Sequence, residues 1–294
     1  MLVIGGSASS YLARRVARAA GLSVVPVESR VFPDGERYVR VLGDVSGQRV
    51  ALVQSMYRRP DEYLFEFVLL ARTLKDLGAS EVIGVVPYFP YARQDARFNP
   101  GEAVSLEVVS RLVEFSGVDR LVTVDMHLHR YSSVEEVFRI PAVNVSAMPL
   151  LAEYASRAYN LSKPVVIGPD EESRQWAEKA AAAIGCECDV LEKRRVSAEV
   201  VEMVPREVSV RGRDVLIVDD IISTGGTMAE AVKMVLRQGA RRVVCACTHA
   251  ILAGNALERV FQAGAHDLIA TDTVPSPVSA VSVAELLAKT LAEL

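Results

Sequence analysis

Cysteine is scarce in this sequence: 4 among 294 residues, set as two close pairs, Cys186/Cys188 and Cys245/Cys247. Neither pair has the C-x₂-C spacing of common zinc sites, and a chain this long needs no disulfide staples. Cys245-Ala246-Cys247 lies in an apolar run with the character of a buried strand, where thiols are ordinary core residues. Such cysteine usage points to the cytosol. Long hydrophobic runs are also lacking. The longest stretch without a charged residue, Val243 to Leu257, falls short of the roughly 20 apolar residues that span a bilayer. No basic segment precedes the apolar start Met1–Gly5, so no secretory signal is visible. The 13 prolines and 18 glycines are too few, and the apolar share of 50% too high, for a disordered chain. Net charge is −4 with Lys and Arg dispersed, which leaves no nucleic-acid footprint. Neither a membrane nor a nucleic acid is an expected partner.

What is present is a regular alternation. Short Val/Ile-rich runs such as Leu2–Gly5, Arg49–Gln54, Val82–Val86, Leu121–Val124, Val165–Gly168, Val215–Val218, Arg242–Thr248 and Leu268–Thr271 predict strands. Amphipathic stretches at Ala8–Ala20, Asp61–Leu77, Ser105–Phe115, Glu171–Ile184, Met228–Gln238 and Val283–Leu291 predict helices. Strands flanked by helices at this spacing predict α/β lobes with central parallel sheets covered on both faces, the doubly wound arrangement. At roughly 150 residues per domain the length suggests two of them. The order helix, strand, basic loop, strand ending in Asp occurs around Val82–Asp125 and again around Cys188–Asp219. Either the lobe is duplicated, or any α/β chain would look this repetitive. The seam falls near Ile140–Pro149, dividing residues 1–142 from 143–280.

The strongest chemical signal is Val215-Leu-Ile-Val218-Asp219-Asp220-Ile-Ile-Ser223-Thr224-Gly225-Gly226-Thr227. An acidic pair at the carboxyl end of a buried strand stands where open α/β sheets bind ligands. Ser223 to Thr227 then offer hydroxyls, glycines that allow close backbone approach, and the N–H groups of a new helix, together a phosphate cradle. No G-x-x-x-x-G-K-[ST] occurs, so this is not a nucleotide P-loop. Two carboxylates beside a phosphate repel it unless they face hydroxyls or a metal. A sugar phosphate with Mg²⁺ resolves that conflict. The plain alternative is a capped helix after an acidic turn.

This segment resembles the 5-phosphoribosyl 1-diphosphate (PRPP) binding motif of phosphoribosyltransferases and ribose-phosphate pyrophosphokinases. Further segments resemble the pyrophosphokinases in particular, in the right order over essentially the whole chain. They are Phe32-Pro-Asp34-Gly-Glu36, Tyr91-Ala-Arg93-Gln94-Asp95, Asp125-Met-His127, Gly168-Pro-Asp170, Lys193-Arg-Arg195, Gly254-Asn-Ala256 and Thr271-Asp-Thr-Val-Pro275. Ser223 stands where many members have a further Asp, as in the shorter archaeal-type members.

Each segment also has a reading of its own. Phe32 beside Asp34 and Glu36 suits a purine, by stacking plus acceptors for an exocyclic amine, or is a polar turn with a hydrophobic anchor. Arg93 suits bidentate phosphate contact, or is simply solvated. Asp125 and His127 alternate onto one side of a strand end and could reach a metal-bound triphosphate, or His127 makes a structural hydrogen bond. Asp170 follows a strand in a turn before a helix; the resemblance implies a place by the ribose phosphate or its metal, and the plain alternative is a helix N-cap. Lys193–Arg195 is a solvated basic run, or a loop that closes over charge building on a transferring phosphoryl group.

The resemblance implies a duplicated phosphoribosyltransferase-like fold and a Mg²⁺-dependent ribose-phosphate diphosphokinase. It implies an ATP side in residues 1–142, joined by the terminal helix 281–294, and a ribose 5-phosphate side in 143–280. ATP would be bound by Phe32, Asp34, Glu36, Arg93, Gln94, Asp95 and His127. Ribose 5-phosphate would be bound by Asp170, Asp219, Asp220, Ser223, Thr224, Gly225, Gly226 and Thr227. Lys193 and Arg195 would be the catalytic pair, and Asp125, His127 and Asp170 the metal contacts. The loop carrying Phe32 would serve ATP held mainly by a neighbouring subunit, which implies a homo-oligomer, at least a dimer. The rival readings are a phosphoribosyltransferase, or an inactive associated regulatory subunit.

Overall fold

A computed structural model describes residues 1–195, 201–205 and 208–294, without the side chains of 193–195 and 201–205. The chain forms two units, Met1–Val145 with Val283–Leu294, and Ser146–Ser282.

The first unit runs β1 (Leu2–Gly5), α1 (Ser10–Ala20), β2 (Ser23–Val24), β3 (Val27–Val31), β4 (Arg37–Val41), β5 (Arg49–Val53), α2 (Pro60–Asp76), β6 (Glu81–Val86), α3 (Ser105–Phe115), β7 (Arg120–Val124) and β8 (Ala142–Val145). Its main sheet has the order β2-β1-β5-β6-β7-β8 with every pair parallel. Val50–Val53, Val82, Ile83, Val85 and Val86 are fully buried, as expected of parallel strands covered on both faces. β3 and β4 form a separate antiparallel hairpin. Because β8 pairs with β7, the break between units falls after β8 and not between residues 142 and 143, inside it.

The second unit runs α4 (Met148–Ala158), β9 (Val165–Gly168), α5 (Arg174–Ile184), β10 (Glu187–Arg195), β11 (Val201–Pro205), β12 (Asp214–Ile222), α6 (Gly226–Arg237), β13 (Arg242–Ala250), α7 (Ala256–Gln262), β14 (Asp267–Thr271) and β15 (Ser279–Val281). Its sheet order is β11-β10-β9-β12-β13-β14-β15, parallel except for β10 with β11. The closing helix α8 (Ala284–Glu293) returns to the first unit and packs Leu287, Ala288 and Leu291 inward beside α1. Cys245 and Cys247 are buried in β13, and burial pushes both thiols up in pKa. Among the described residues no helix is long and apolar enough to cross a membrane.

Several elements depart from the periodicity. Lys193–Arg195, expected as a loop, continues β10 past its contact with β9 and pairs with β11, Lys193 opposite Met203 and Arg195 opposite Val201. The helix expected from Glu171 begins at Arg174, after a 3₁₀ turn at Glu171–Ser173. α4 lies partly inside the proline-marked seam: Pro149 occupies its first turn, where the missing N–H has no intrahelical partner to lose.

Asp214 fastens the start of β12. Its carboxylate accepts from Ser162 N–H at 2.8 Å, from Arg242 Nη2 at 2.7 Å, and from Arg241. Burial works to raise the pKa of Asp214, but these bonds outweigh it and hold the carboxyl below its ordinary value. A depressed folded-state pKa gives stability that is present above about pH 4, the unfolded value, and lost as pH falls through the folded one. Asp214→Asn is therefore expected to lose roughly 2 kcal/mol at pH 7, the scale of bonds to a charged group. Its urea midpoint should depend less on pH below 4 than that of the wild type.

Candidate active site

In the second unit β9 leads to β10 on one side and is flanked by β12 on the other, so the crevice beyond these strands is a topological switch point. Val215–Val218 are fully buried, and this apolar anchor delivers Asp219, Asp220 and the turn Ser223–Thr227 to the strand's carboxyl end. Ile222 O and Ser223 O accept from Leu252 N–H at 3.0 Å and Ala253 N–H at 2.9 Å, so the turn is braced from the β13–α7 connection. Gly225 has φ +72°, and an added Cβ would lie 2.8 Å from Ala256 O. Only glycine satisfies both the left-handed backbone and this close approach.

Beyond that brace the turn is open. Thr224 and Thr227 are exposed, and Ser223 and Gly226 half-buried. Among the described residues, none of the N–H groups from Thr224 to Thr227 donates to the protein. The first turn of α6 holds no acidic residue, so no side chain of that turn offsets the positive end of its dipole. A helix start with consecutive free N–H groups and nearby hydroxyls is an anion receptor.

The first unit supplies the contrast. Its strand-to-helix turn after β1, also at a switch point, is internally satisfied. Ser7 donates its N–H to Glu66 Oε1 at 2.6 Å and its hydroxyl to Glu66 Oε2 at 2.7 Å. Ala8 N–H reaches Gln54 Oε1 at 3.2 Å, and Ser9 N–H reaches Gly6 O at 3.0 Å. Glu66 is fully buried and paired with Arg37 at 3.3 Å. Arg37 also holds Glu62 at 3.0 Å, fastening the β3–β4 hairpin to α2.

Carboxylates crowd the open cradle. Asp220 is buried and donates its N–H to Asp219 Oδ1 at 3.0 Å. Burial, then the charges of Asp220 and Asp170, raise the Asp219 carboxyl well above its ordinary range. Asp170 caps the 3₁₀ turn, its Oδ1 accepting from Ser173 N–H at 3.2 Å; capping occupies one of its oxygens. An oxygen-only donor set whose negative charges work against one another fits a hard divalent cation such as Mg²⁺.

The remaining predicted residues lie in the first unit. Phe32, Asp34 and Glu36 form the exposed tip of the β3–β4 hairpin, closed by Phe32 N–H to Glu36 O at 2.8 Å. Asp34 Oδ1 accepts from Glu36 N–H at 3.2 Å. The Phe32 ring meets the edge of Tyr38 at 5.8 Å, and the Arg30 guanidinium lies over both rings. Arg93 is exposed and, among the described residues, without a partner. Gln94 and Asp95 are engaged in the loop itself: Gln94 Nε2 donates to Glu102 and to Ala96 O, each at 3.1 Å, and Asp95 pairs with Arg130 at 3.3 Å. That pair brings the Arg93 loop to the segment after β7. Asp125 there is fully buried at φ +37°, a conformation rare for a side-chain-bearing residue. His127 Nδ1 lies 3.1 Å from His129 Nε2 with the rings perpendicular. His129 was outside the expected set; its i+2 spacing from His127 is the signal that could have found it. The imidazole of His127 suits Mg²⁺ less than the oxygens of Asp125 and Asp170 do. The side chains of Lys193 and Arg195 lie outside the described residues.

Both halves of the chain match known proteins. Residues 1–117 match the model for the N-terminal domain of ribose phosphate pyrophosphokinase, and residues 133–272 that for the phosphoribosyl transferase domain. The chain is 45% identical to the ribose-phosphate pyrophosphokinase of Methanothermobacter thermautotrophicus over 287 residues, 98% of each chain. It is 44% identical to that of Methanopyrus kandleri, over 100% of this chain and 99% of the relative. The crystal structure of phosphoribosylpyrophosphate synthetase from Mycobacterium smegmatis superposes with a TM-score of 0.87 at 31% identity, covering 99% of this chain and 97% of that one. With both domain models matched in order and full-length relatives above 40% identity, the chain belongs to the ribose-phosphate pyrophosphokinase family.

Proposed function

We propose that the protein transfers the diphosphoryl group of ATP to the anomeric hydroxyl of ribose 5-phosphate, yielding PRPP for nucleotide biosynthesis and AMP. The observation that carries this reading is one chain holding both an open anion cradle and a whole first unit of the pyrophosphokinase type. A phosphoribosyltransferase, which consumes PRPP, shares the cradle-bearing half alone. Asp220, His127, Lys193 and Arg195, all present, argue against an inactive regulatory subunit.

In the reaction the hydroxyl oxygen bonds to the β-phosphorus, the bond from that phosphorus to the α–β bridging oxygen breaks, and AMP leaves with that electron pair. The hydroxyl proton passes to solvent. Positioning and charge neutralisation dominate such transfers. The N–H groups of Thr224–Thr227 and the hydroxyls of Ser223, Thr224 and Thr227 grip the 5-phosphate. Asp219 and Asp220 orient the ribose hydroxyls. Phe32 stacks on the adenine, Asp34 and Glu36 accept from its amine, and Arg93 with Gln94, Asp95 and His127 positions the triphosphate. Asp125, His127 and Asp170 would hold Mg²⁺, which when bound would supply charge neutralisation at the phosphates. Lys193 and Arg195 stabilise charge on the group in transit.

The solvent-facing Phe32 supports an adenine site completed between subunits, hence a homo-oligomer of at least two chains. The free thiols support a cytosolic setting. The test is to incubate pure protein with Mg²⁺, ATP and ribose 5-phosphate and to follow AMP. ADP as product, or no turnover, rejects the reading.

A further inference from the structure

Arg259 belongs to none of the motifs above, yet it touches the cradle. It lies on α7, and its long side chain runs back toward the helix N-terminus, as helical side chains do. Its Nη1 donates to the carbonyl of Thr224 at 3.0 Å, and its Nη2 reaches Asn255 Oδ1 at 3.3 Å. The same Nη1 lies 3.8 Å from the point where a Cβ on Gly226 would sit. One guanidinium thus links the N-terminus of α7 to the turn that starts α6.

The consequence follows from peptide geometry. A trans peptide is planar, and its C=O and N–H point in opposite directions. With the Thr224 carbonyl turned to Arg259, the Gly225 N–H is turned the other way. Glycine offers little resistance to rotation of that peptide, since positive and negative φ are nearly equally open to it. Rotation would exchange an N–H donor for a carbonyl oxygen, and a carbonyl facing a phosphate repels it. The Gly225 N–H donates to nothing in the protein among the described residues, so no other bond to that N–H fixes the choice.

We infer that Arg259 is a positioning residue for the phosphate tail of the sugar: it holds the Thr224–Gly225 peptide in the one orientation that presents N–H to the anion. The inference rests on the proposed function, because it assumes that the cradle takes ribose 5-phosphate. Two bonded nitrogens of one planar fork do this; a lysine ammonium could hold the carbonyl but not match the fork's two-point attachment.

The test compares wild type with Arg259→Met and Arg259→Lys, using steady-state kinetics and calorimetric titration with ribose 5-phosphate. Arg259→Met is expected to raise KM for ribose 5-phosphate about tenfold or more, the scale of one charged hydrogen bond. KM for ATP should stay within about twofold and kcat within about threefold of wild type, and Arg259→Lys should recover part of the loss. A Tm within about 2 °C of wild type separates this from partial unfolding. Unchanged ribose 5-phosphate affinity in Arg259→Met overturns the inference. So does a parallel loss in both substrates' KM together with Tm, which marks a merely structural role. If wild type itself fails to bind ribose 5-phosphate, the proposed function falls, and the two failures are told apart by that one titration.

Discussion

Gly225→Ala is expected to raise KM for ribose 5-phosphate at least about 100-fold, the loss seen when a site's polar groups no longer meet their substrate partner. Two independent penalties fall on this one methyl group. The backbone sits at φ +72°, where a side chain costs roughly 1–2 kcal/mol. The new Cβ would also stand 2.8 Å from Ala256 O, 3.2 Å from its Cα and 3.3 Å from its carbonyl carbon. These are backbone atoms at the start of α7, so no flexible chain end can yield. The turn must move, and its N–H groups move with it. Gly226→Ala is the matched control, since its Cβ meets nothing closer than 3.8 Å. It should fold with near wild-type stability and lose ribose 5-phosphate affinity only through crowding of the anion. Denaturant midpoints and ribose 5-phosphate titration of the two variants check both statements; equal affinity in Gly225→Ala and wild type would contradict the cradle.

Lys193→Ala is expected to lower kcat by at least about 10³-fold, the range found for a cation removed from a transferring phosphoryl group. KM for ATP and for ribose 5-phosphate should change only a few-fold, because the missing charge acts where negative charge develops and not where the ground state binds. Calorimetric titration of ribose 5-phosphate should be unaffected, and Tm should hold. A kcat within tenfold of wild type would move the neutralising role to Arg195, Arg93 or the metal. Uniform loss of affinity for both substrates would make Lys193 a binding residue instead.

The second-unit site was legible because it rests on local rules. An apolar strand, an acidic pair and a hydroxyl-rich glycine turn are contiguous from Val215 to Thr227, and backbone hydrogen bonding leaves the N–H groups of that turn without a protein acceptor among the described residues. Other features depend on distant partners and left no pattern. Gln94 Nε2 donates to Glu102 and Asp95 pairs with Arg130, contacts that no local spacing announces. Arg259 reaches Thr224 across 35 positions, and Arg37 meets Glu66 only after α2 folds against the hairpin. α4 escaped because Pro149 was taken as a break when, in a first turn, it is a start. β3 and β4 escaped for another reason: their apolar alternation is short and broken, Val27 and Val31 facing Val39 and Val41 with Ser29 and Arg37 on the same face.

The buried Glu66 gives the twin turns opposite fates. The protein carries its own tethered anion at the β1–α1 turn, permanently moored by Ser7 and clamped by Arg37. A phosphate arriving there would meet an N–H already bonded to Glu66, whereas the N–H groups of the Gly225 turn have no acceptor among the described residues. One buried side chain thus fills the first unit's turn and, through Arg37, moors the hairpin that bears Phe32.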